Sequence, residues 1–441
     1  MLDELGKLDI FQKGVVADVN TVSFYLYKSF IELIKKQIEH PEVKKLIEDK
    51  NERFDLVIVE AYFNLPLVFS HVFKAPVIQI SSFHGRPENY EAVGALGSHP
   101  RYYPNFNRNK FRNLSFWENL VEIFYELKLR YEFWLTEQFE NKVIKELFGP
   151  DAPTIRDLNE NVDMLFINTH SIYEDNRPVP PTVVFLGGLH MQPIKELPKD
   201  LKEYLDNSKR GVVYVSMGSN VHPSNMDEVM LENFIKAFGA LPYDILWKFD
   251  IDNFGPMPRN VKTQKWFPQR DLLVHKNIKA FVTQGGLQSS DEAIDAGVPL
   301  VGIPMLGDQF YNVHKYVELG IGVQVDAMTF TAQEVVDAVK KVVEDKSYKT
   351  NVLQLRSVFR DQPQQPLERA VWWTEYVIRH SGAKHLRAPA ANVSWAEYLL
   401  LDLLLVPILC AVSTIVLCSV VVCRLCRNVG RGRKRDKLKK N

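Results

Sequence analysis

Apolar residues follow two rhythms along this chain. Short continuous runs occur at Phe54–Val59, Pro76–Ile80, Gly211–Ser216, Ile245–Trp247, Ala280–Thr283 and Leu300–Ile303. Such runs read as strands buried on both faces. Between them the apolar residues return at helical spacing. The first ~50 residues show it at Phe24, Leu26, Phe30, Ile31 and Ile34, and Asn64–Val72 reads as the helix after the first strand. Residues 111–148 carry aromatics at the same spacing: Phe116, Trp117, Phe124, Tyr125, Tyr131, Phe133 and Trp134. A stripe of that kind is expected to be core. Strand–helix alternation predicts parallel sheets and an α/β fold. Prolines in Arg177–Pro181 and between Pro193 and Pro198 punctuate a linker. The boundary is placed near residue 190, giving domains 1–189 and 190–390.

A different pattern closes the chain. Leu399–Cys423 is almost wholly apolar, with Asp402 near its start. A helix of that length spans a bilayer core of ~30 Å. The segment 424–441 that follows is basic, with Arg424, Arg427, Arg431, Arg433, Lys434, Arg435, Lys437, Lys439 and Lys440 against Asp436. By the positive-inside rule this tail is cytoplasmic and residues 1–398 are luminal. Lys437 and Lys439, at the end of the tail, resemble a dilysine retrieval signal. The expected location is the endoplasmic reticulum membrane, crossed once.

Composition adds bounds. At 441 residues the chain has room for two domains, and a formal net charge of zero gives no reason to expect nucleic acid. All four cysteines, Cys410, Cys418, Cys423 and Cys426, lie in or beside the span, so no disulfide is expected in the body. Asn113-Leu-Ser and Asn392-Val-Ser are glycosylation sequons on the luminal side. Asp250-Ile251-Asp252 is an Asp-x-Asp triplet, but no His/Cys cluster accompanies it, and no metal is expected. The first residues, Met1–Lys7, are polar and acidic, unlike a signal peptide.

The chemistry concentrates in residues 281–309, FVTQGGLQSSDEAIDAGVPLVGIPMLGDQ. A strand enters a Gln284-Gly285-Gly286 turn. A helix then runs from about Gln288 to Gly297, and a second strand follows Pro299. The turn puts free backbone N–H groups at a helix N-terminus, where a phosphate can sit. Glu292 lies one turn inside that helix, within reach of a ribose. Asp308 and Gln309 follow the second strand at its C-terminal end, where open α/β sheets bind ligands.

This stretch resembles the signature of the UDP-glycosyltransferases. Thr283, Gln284, Gly286, Ser289, Glu292, Pro299, Pro304, Asp308 and Gln309 fill its positions. The likeness extends to Trp266–Gln269, Asp271–Leu273, Val215–Ser219 and Gly382–Leu386. It covers roughly residues 50 to 441, and the wording TQGGLQS is closer to insect members than to vertebrate ones. It implies two Rossmann-like domains facing across a cleft (the GT-B arrangement), the N-terminal one incomplete, plus the C-terminal transmembrane helix.

The resemblance also implies roles. Trp266 would stack on uracil, and Gln269 would touch base or ribose. Glu292 would accept from the ribose hydroxyls. Ser219, Gln284, Gly285, Gly286, Gln288 and Ser289 would hold the diphosphate, and Asp308 and Gln309 the hexose. Many members have histidine in place of Gln284 and asparagine in place of Gln288. The implied reaction is inverting, metal-independent transfer of glucose or glucuronate from a UDP-sugar to a small lipophilic acceptor. The UDP-sugar is a co-substrate, and no cofactor is implied. Other implied partners are membrane lipid and a homo- or hetero-oligomeric copy.

Transfer needs a base. A histidine oriented by a carboxylate suits that task at neutral pH. Glu60, ending the first strand, is the carboxylate candidate, in place of the family's usual aspartate. The family's histidine lies far upstream of that carboxylate, and too few residues precede Glu60 to hold it. The expectation is a chain lacking its signal peptide, first βα units and catalytic histidine. His84, after the second strand, is weighed as a substitute base. Two rival functions follow: a donor-binding subunit that regulates a full-length partner, and a membrane-anchored lipophile-binding protein.

One prediction concerns the departure at Gln284. A histidine can carry a charge that glutamine cannot. Gln284→His is expected to raise UDP affinity; an equal or higher calorimetric Kd would contradict it.

Overall fold

The computed structural model describes residues 23–438 apart from 220 and 253, with backbone alone from residue 425 onward. The acidic Met1–Lys7, the side chains of the basic tail beyond Arg424, and the dilysine-like end lie outside the described residues.

The first domain is built on β1 (Val57–Glu60), β2 (Val77–Ser81), β3 (Val162–Ile167) and β4 (Val183–Phe185). They pair in that order, all parallel. Every residue of β3 is buried, as expected where both sheet faces are covered. Alternate residues serve opposite layers. Val77, Leu165 and Ile167 face Ile31 and Ile38 of α1 (Phe24–Ile38) and Val143 and Ile144 of α2 (Phe116–Phe148). Ile78, Met164 and Phe166 face the other way, onto Ala370 and Val377.

Most of the aromatic stripe of α2 is not core, Phe133 excepted. Phe116, Trp117, Phe124, Tyr131 and Trp134 are exposed, Trp117 by 73%. The cause is length: 33 residues make a helix of ~50 Å, far wider than four strands at ~4.8 Å spacing. The N-terminal half overhangs the sheet, and most buried positions (Phe133, Thr136, Glu140, Val143, Ile144) fall in the C-terminal half.

The second domain has β5 (Val212–Ser216), β6 (Asp244–Lys248), β7 (Val261–Gln264), β8 (Ile278–Thr283), β9 (Leu300–Gly302) and β10 (Gly322–Gln324). Their spatial order is β10-β9-β8-β5-β6-β7, all parallel. This is a doubly wound sheet whose order reverses between β5 and β8. Its layers are α3 (Glu228–Ala240), α4 (Gln269–Leu273), α5 (Leu287–Ala296), α6 (Gln309–Glu318) and α7 (Ala332–Glu344). Val213 and Val215 pack on Phe234, Phe238, Val335 and Val339. Val212 and Tyr214 pack on Phe267, Ile294, Val313 and Tyr316.

Two helices follow. α8 (Pro366–Arg379) returns to the first domain and supplies the Ala370 and Val377 just described. The last helix of the expected second domain, 190–390, thus lies on the first domain's sheet. α9 (Leu401–Leu438) contains Leu401–Arg424, 24 residues of mean hydropathy 2.7 with none of its apolar window buried. It is a candidate membrane span by length and composition, close to the expected 399–423.

Phe234 tests the core. It lies on α3, fully buried against Trp247 and Phe330. Phe234→Ala is expected to cost about 3–5 kcal/mol in urea unfolding. A loss below 1 kcal/mol would contradict this packing.

Candidate active site

The reversal between β5 and β8 opens a crevice at the strands' C-terminal ends. Two glycine turns line it. Gly218 follows β5 with φ +71°, and a Cβ there would overlap the Gln284 amide. Gly285 follows β8 with φ +91°, and a Cβ there would overlap Val313. Both positions therefore need glycine. Gly286 is the N-cap of α5, and the first-turn N–H groups of Leu287, Gln288 and Ser289 have no intrahelical acceptor. Gln288 is exposed and Gln284 buried. The Gln284 Oε1 is buried without a partner, an acceptor that a ligand hydroxyl would satisfy. Ser219 is exposed at the lip of the crevice.

Beside these turns lies a cavity of about 200 Å³. Gly218, Ser219, His222, Lys248, Asp250 and Trp266 help line it. Trp266 is 70% exposed, so its indole face is open rather than in the core. Lys248 Nζ lies 4.6 Å from the ring centroid and donates to the Gly218 carbonyl at 2.8 Å. Its partial burial lowers the Lys248 pKa. Sequence reasoning missed Lys248 because a strand-end lysine carries no motif of its own.

Three predicted residues meet on α4 and α5. Gln269 Nε2 donates to Glu292 Oε2 at 2.7 Å and to Ser289 Oγ at 3.0 Å. Its Oε1 accepts from the Tyr214 hydroxyl at 3.3 Å. Burial raises the Glu292 pKa, and the Gln269 amide opposes that shift. The neighbouring Asp291 goes further: burial pushes it to about 8.

Asp308 is half-buried at the N-cap of α6, and Gln309 opens that helix. Gln309 Oε1 accepts the Met305 and Leu306 N–H groups, at 2.9 and 2.8 Å. That oxygen holds the turn in shape. Asp308 Oδ2 accepts from Asn312 Nδ2 at 2.9 Å. Burial raises the Asp308 pKa; His84 and Asn312 oppose the rise.

The first domain faces this site. Glu60 ends β1 and accepts from Ser82 Oγ and the Tyr62 N–H, both at 3.3 Å. Desolvation of the carboxyl raises its pKa, although the residue as a whole is exposed. His84 does not fit the role of base. It is 1% exposed, and both ring nitrogens are engaged: Nδ1 with Glu174 Oε1 and Nε2 with Asn312 Oδ1, each at 2.8 Å. Sequence reasoning missed Glu174 and Asn312, since only the closed cleft brings them together.

The two parallel sheets and the crevice at the strand-order reversal define an α/β protein built to take a ligand at its strand ends. Over residues 13–436 the chain matches the family model described as UDP-glucoronosyl and UDP-glucosyl transferase, and it belongs to that family. It is 45% identical over 412 residues to an ecdysteroid UDP-glucosyltransferase of Spodoptera littoralis nuclear polyhedrosis virus, covering 91% of this chain and 80% of that one. It is 35% identical over 404 residues to UDP-glucosyltransferase 2 of Dactylopius coccus, covering 90% and 77%. Among solved structures, the glycosyltransferase of kitacinnamycin superposes with a TM-score of 0.57 at 19% identity, covering 80% of this chain and 82% of that one. The calicheamicin glycosyltransferase CalG4 gives 0.53 at 17%, covering 83% and 85%. These two show the GT-B fold. The chain is thus a UDP-glycosyltransferase.

If uracil stacks on the open indole, Trp266→Ala should weaken UDP binding by about 5- to 100-fold, the worth of one base–aromatic stack. Because the ring is exposed, the thermal midpoint should hold. Unchanged UDP affinity would remove Trp266 from the site.

Proposed function

We propose that this chain transfers glucose from UDP-glucose to a hydroxyl of a small lipophilic acceptor, with inversion and without a metal. The observation that carries the reading is the convergence at one crevice of Trp266, the Gln269–Glu292 pair, the free N–H groups of α5 and Asp308. Each matches one part of a sugar nucleotide. The indole takes the uracil face. Glu292 accepts from the ribose hydroxyls, with Gln269 holding its carboxylate. The N-terminus of α5 and Ser219 take the diphosphate, whose charge the helix dipole favours. Asp308 accepts from hexose hydroxyls.

Transfer proceeds by attack of the acceptor oxygen on the anomeric carbon. The bond from that carbon to the phosphate oxygen breaks, UDP leaves, and the acceptor proton goes to a base. Glu60, at the cleft edge of β1, is the carboxylate nearest that role in the first domain. Support for glucose and for a polycyclic, steroid-like acceptor comes from relatives named as ecdysteroid UDP-glucosyltransferases. The apolar Leu401–Arg424 helix supports a single span of the endoplasmic reticulum membrane, with the body luminal and the basic tail cytoplasmic.

A second reading rests on Glu60's surroundings. Its side-chain partners are Ser82 and Tyr62, and among the described residues no histidine bonds to it. In this reading the chain binds donor, transfers poorly and regulates another copy.

UDP release from UDP-glucose, in microsomes with phenols and an ecdysteroid as acceptors, separates the two. Acceptor-dependent release that falls at least tenfold in Glu60→Ala supports transfer. No release from a preparation that UDP still protects against heat supports the regulatory reading.

The pH profile is a further check. A carboxylate must be ionised to take or orient a proton, and this pKa is raised. Activity should therefore be present above the raised pKa and lost as pH falls through it. The acid limb should lie above the ordinary glutamate value and vanish in Glu60→Gln. An acid limb unchanged in Glu60→Gln would exclude Glu60.

A further inference from the structure

The buried histidine has a job other than proton abstraction. His84 belongs to the loop after β2 in the first domain, and Asn312 to α6 in the second. Their contact, Nε2 to Oδ1 at 2.8 Å, crosses the cleft between residues 228 positions apart. Asn312 is fully buried. Its Nδ2 donates twice: to the Gly285 carbonyl at 2.9 Å and to Asp308 Oδ2 at 2.9 Å.

Donor and acceptor counting fixes the protons. The Gly285 carbonyl and the Asp308 carboxylate can only accept, so the nitrogen of the Asn312 amide must point at them. Its oxygen is then turned to His84, and His84 Nε2 must carry a hydrogen. On the other side of the ring, Glu174 is 3% exposed and lies 3.6 Å from Arg177. Its carboxylate accepts as well, so His84 Nδ1 also carries a hydrogen. Two hydrogens make an imidazolium. The ring is clamped in place between Phe106, stacked at 5.5 Å, and Tyr311, edge-on at 5.1 Å.

We propose that His84 is a positioning residue for the donor hexose: through Asn312 it aims the Asp308 carboxylate, and it ties that aim to closure of the cleft. The same amide also donates to the Gly285 carbonyl, a contact that lies within the second domain. When the domains separate, Asn312 loses its acceptor-side partner and Asp308 loses its fixed orientation. The hexose subsite is thus complete only in the closed form, whereas the nucleotide subsite lies within the second domain. The charge acts in the same sense. Glu174, Asp308 and Asp291 are the acids that bear on His84, and Arg177 is the base beside Glu174. Burial opposes the charge, but Glu174, Asp308 and the Asn312 bond together hold the His84 pKa above its usual value.

This inference rests on the reading of Asp308 as the hexose contact, and the experiment tests the two separately. Calorimetry would measure UDP and UDP-glucose on the full chain and on His84→Ala, His84→Gln, Asn312→Ser and Asp308→Ala. His84→Ala and Asn312→Ser should each weaken UDP-glucose about tenfold, the scale of one hydrogen bond, and leave UDP within about twofold. His84→Gln keeps an N–H for Asn312 and should recover most of the loss. The double variant His84→Ala/Asn312→Ser should be no worse than either single one, because both cut the same chain of bonds.

A merely structural histidine would change UDP and UDP-glucose affinity together, and that result would overturn the proposal. So would additive losses in the double variant. If Asp308→Ala loses UDP-glucose selectivity while His84→Ala and Asn312→Ser retain it, the hexose reading stands and the positioning role falls. If Asp308→Ala itself keeps selectivity, both fall. Should His84→Ala not fold, His84→Gln and Asn312→Ser carry the same comparison.

Discussion

Parallel sheets deliver their loops at the C-terminal edge of the strands, and here two such edges are pressed against each other. The closure depends on polar groups that would be costly to bury alone. His84 meets Glu174 and Asn312, while Lys315 of α6 meets Asp175 of the first domain and Glu318 of its own helix. Tyr311 donates to Asp175 at 2.7 Å. Asn312, Lys315, Tyr311, His84 and Glu174 are all buried. Three contacts cross between the domains, His84–Asn312, Asp175–Lys315 and Asp175–Tyr311, and these form only when the domains meet in this register. Removing one partner leaves another buried and unpaired, so the seam specifies a closed arrangement more than it adds stability.

That constraint explains how work divides between the domains. The crevice between β5 and β8 is formed within one domain, by turns in which positive φ and close neighbours favour glycine at Gly218 and Gly285. It can hold a nucleotide whatever the first domain does. The hexose end is different. Asp308 and the Gly285 carbonyl share the Asn312 amide, and that amide reaches across to the first domain. Tyr62 of the first domain lies near enough to feel the charge of Asp308. On the proposed reading, chemistry falls at the seam and recognition of the nucleotide falls away from it.

Much of this was legible in the residues. β1, β2, β5, β6, β8 and β9 follow the apolar runs within a few positions, although Ile58 of β1 is exposed, whereas β3, β4, β7 and β10 were not read from the sequence. The 281–309 segment reads correctly as strand, turn and helix, since Gly285, Gly286, Gly297 and Pro299 punctuate it locally. Failures have a common cause. The stripe on α2 reads as core because spacing reports a helix face without saying what covers it, and a helix of this length overhangs its sheet. Glu174, Asn312 and Lys248 gave no signal because their partners are far away in sequence. His84 drew notice for its type, but its role depends on a contact with Asn312 that no local pattern contains.

The most direct test of the account is a crystal structure of the chain with UDP-glucose. The account predicts uracil flat on Trp266, ribose on Glu292, diphosphate at the N-terminus of α5 and glucose hydroxyls on Asp308, with the His84–Asn312 bond intact. Density for the nucleotide away from the β5–β8 crevice, or glucose bound with the domains apart, would contradict it.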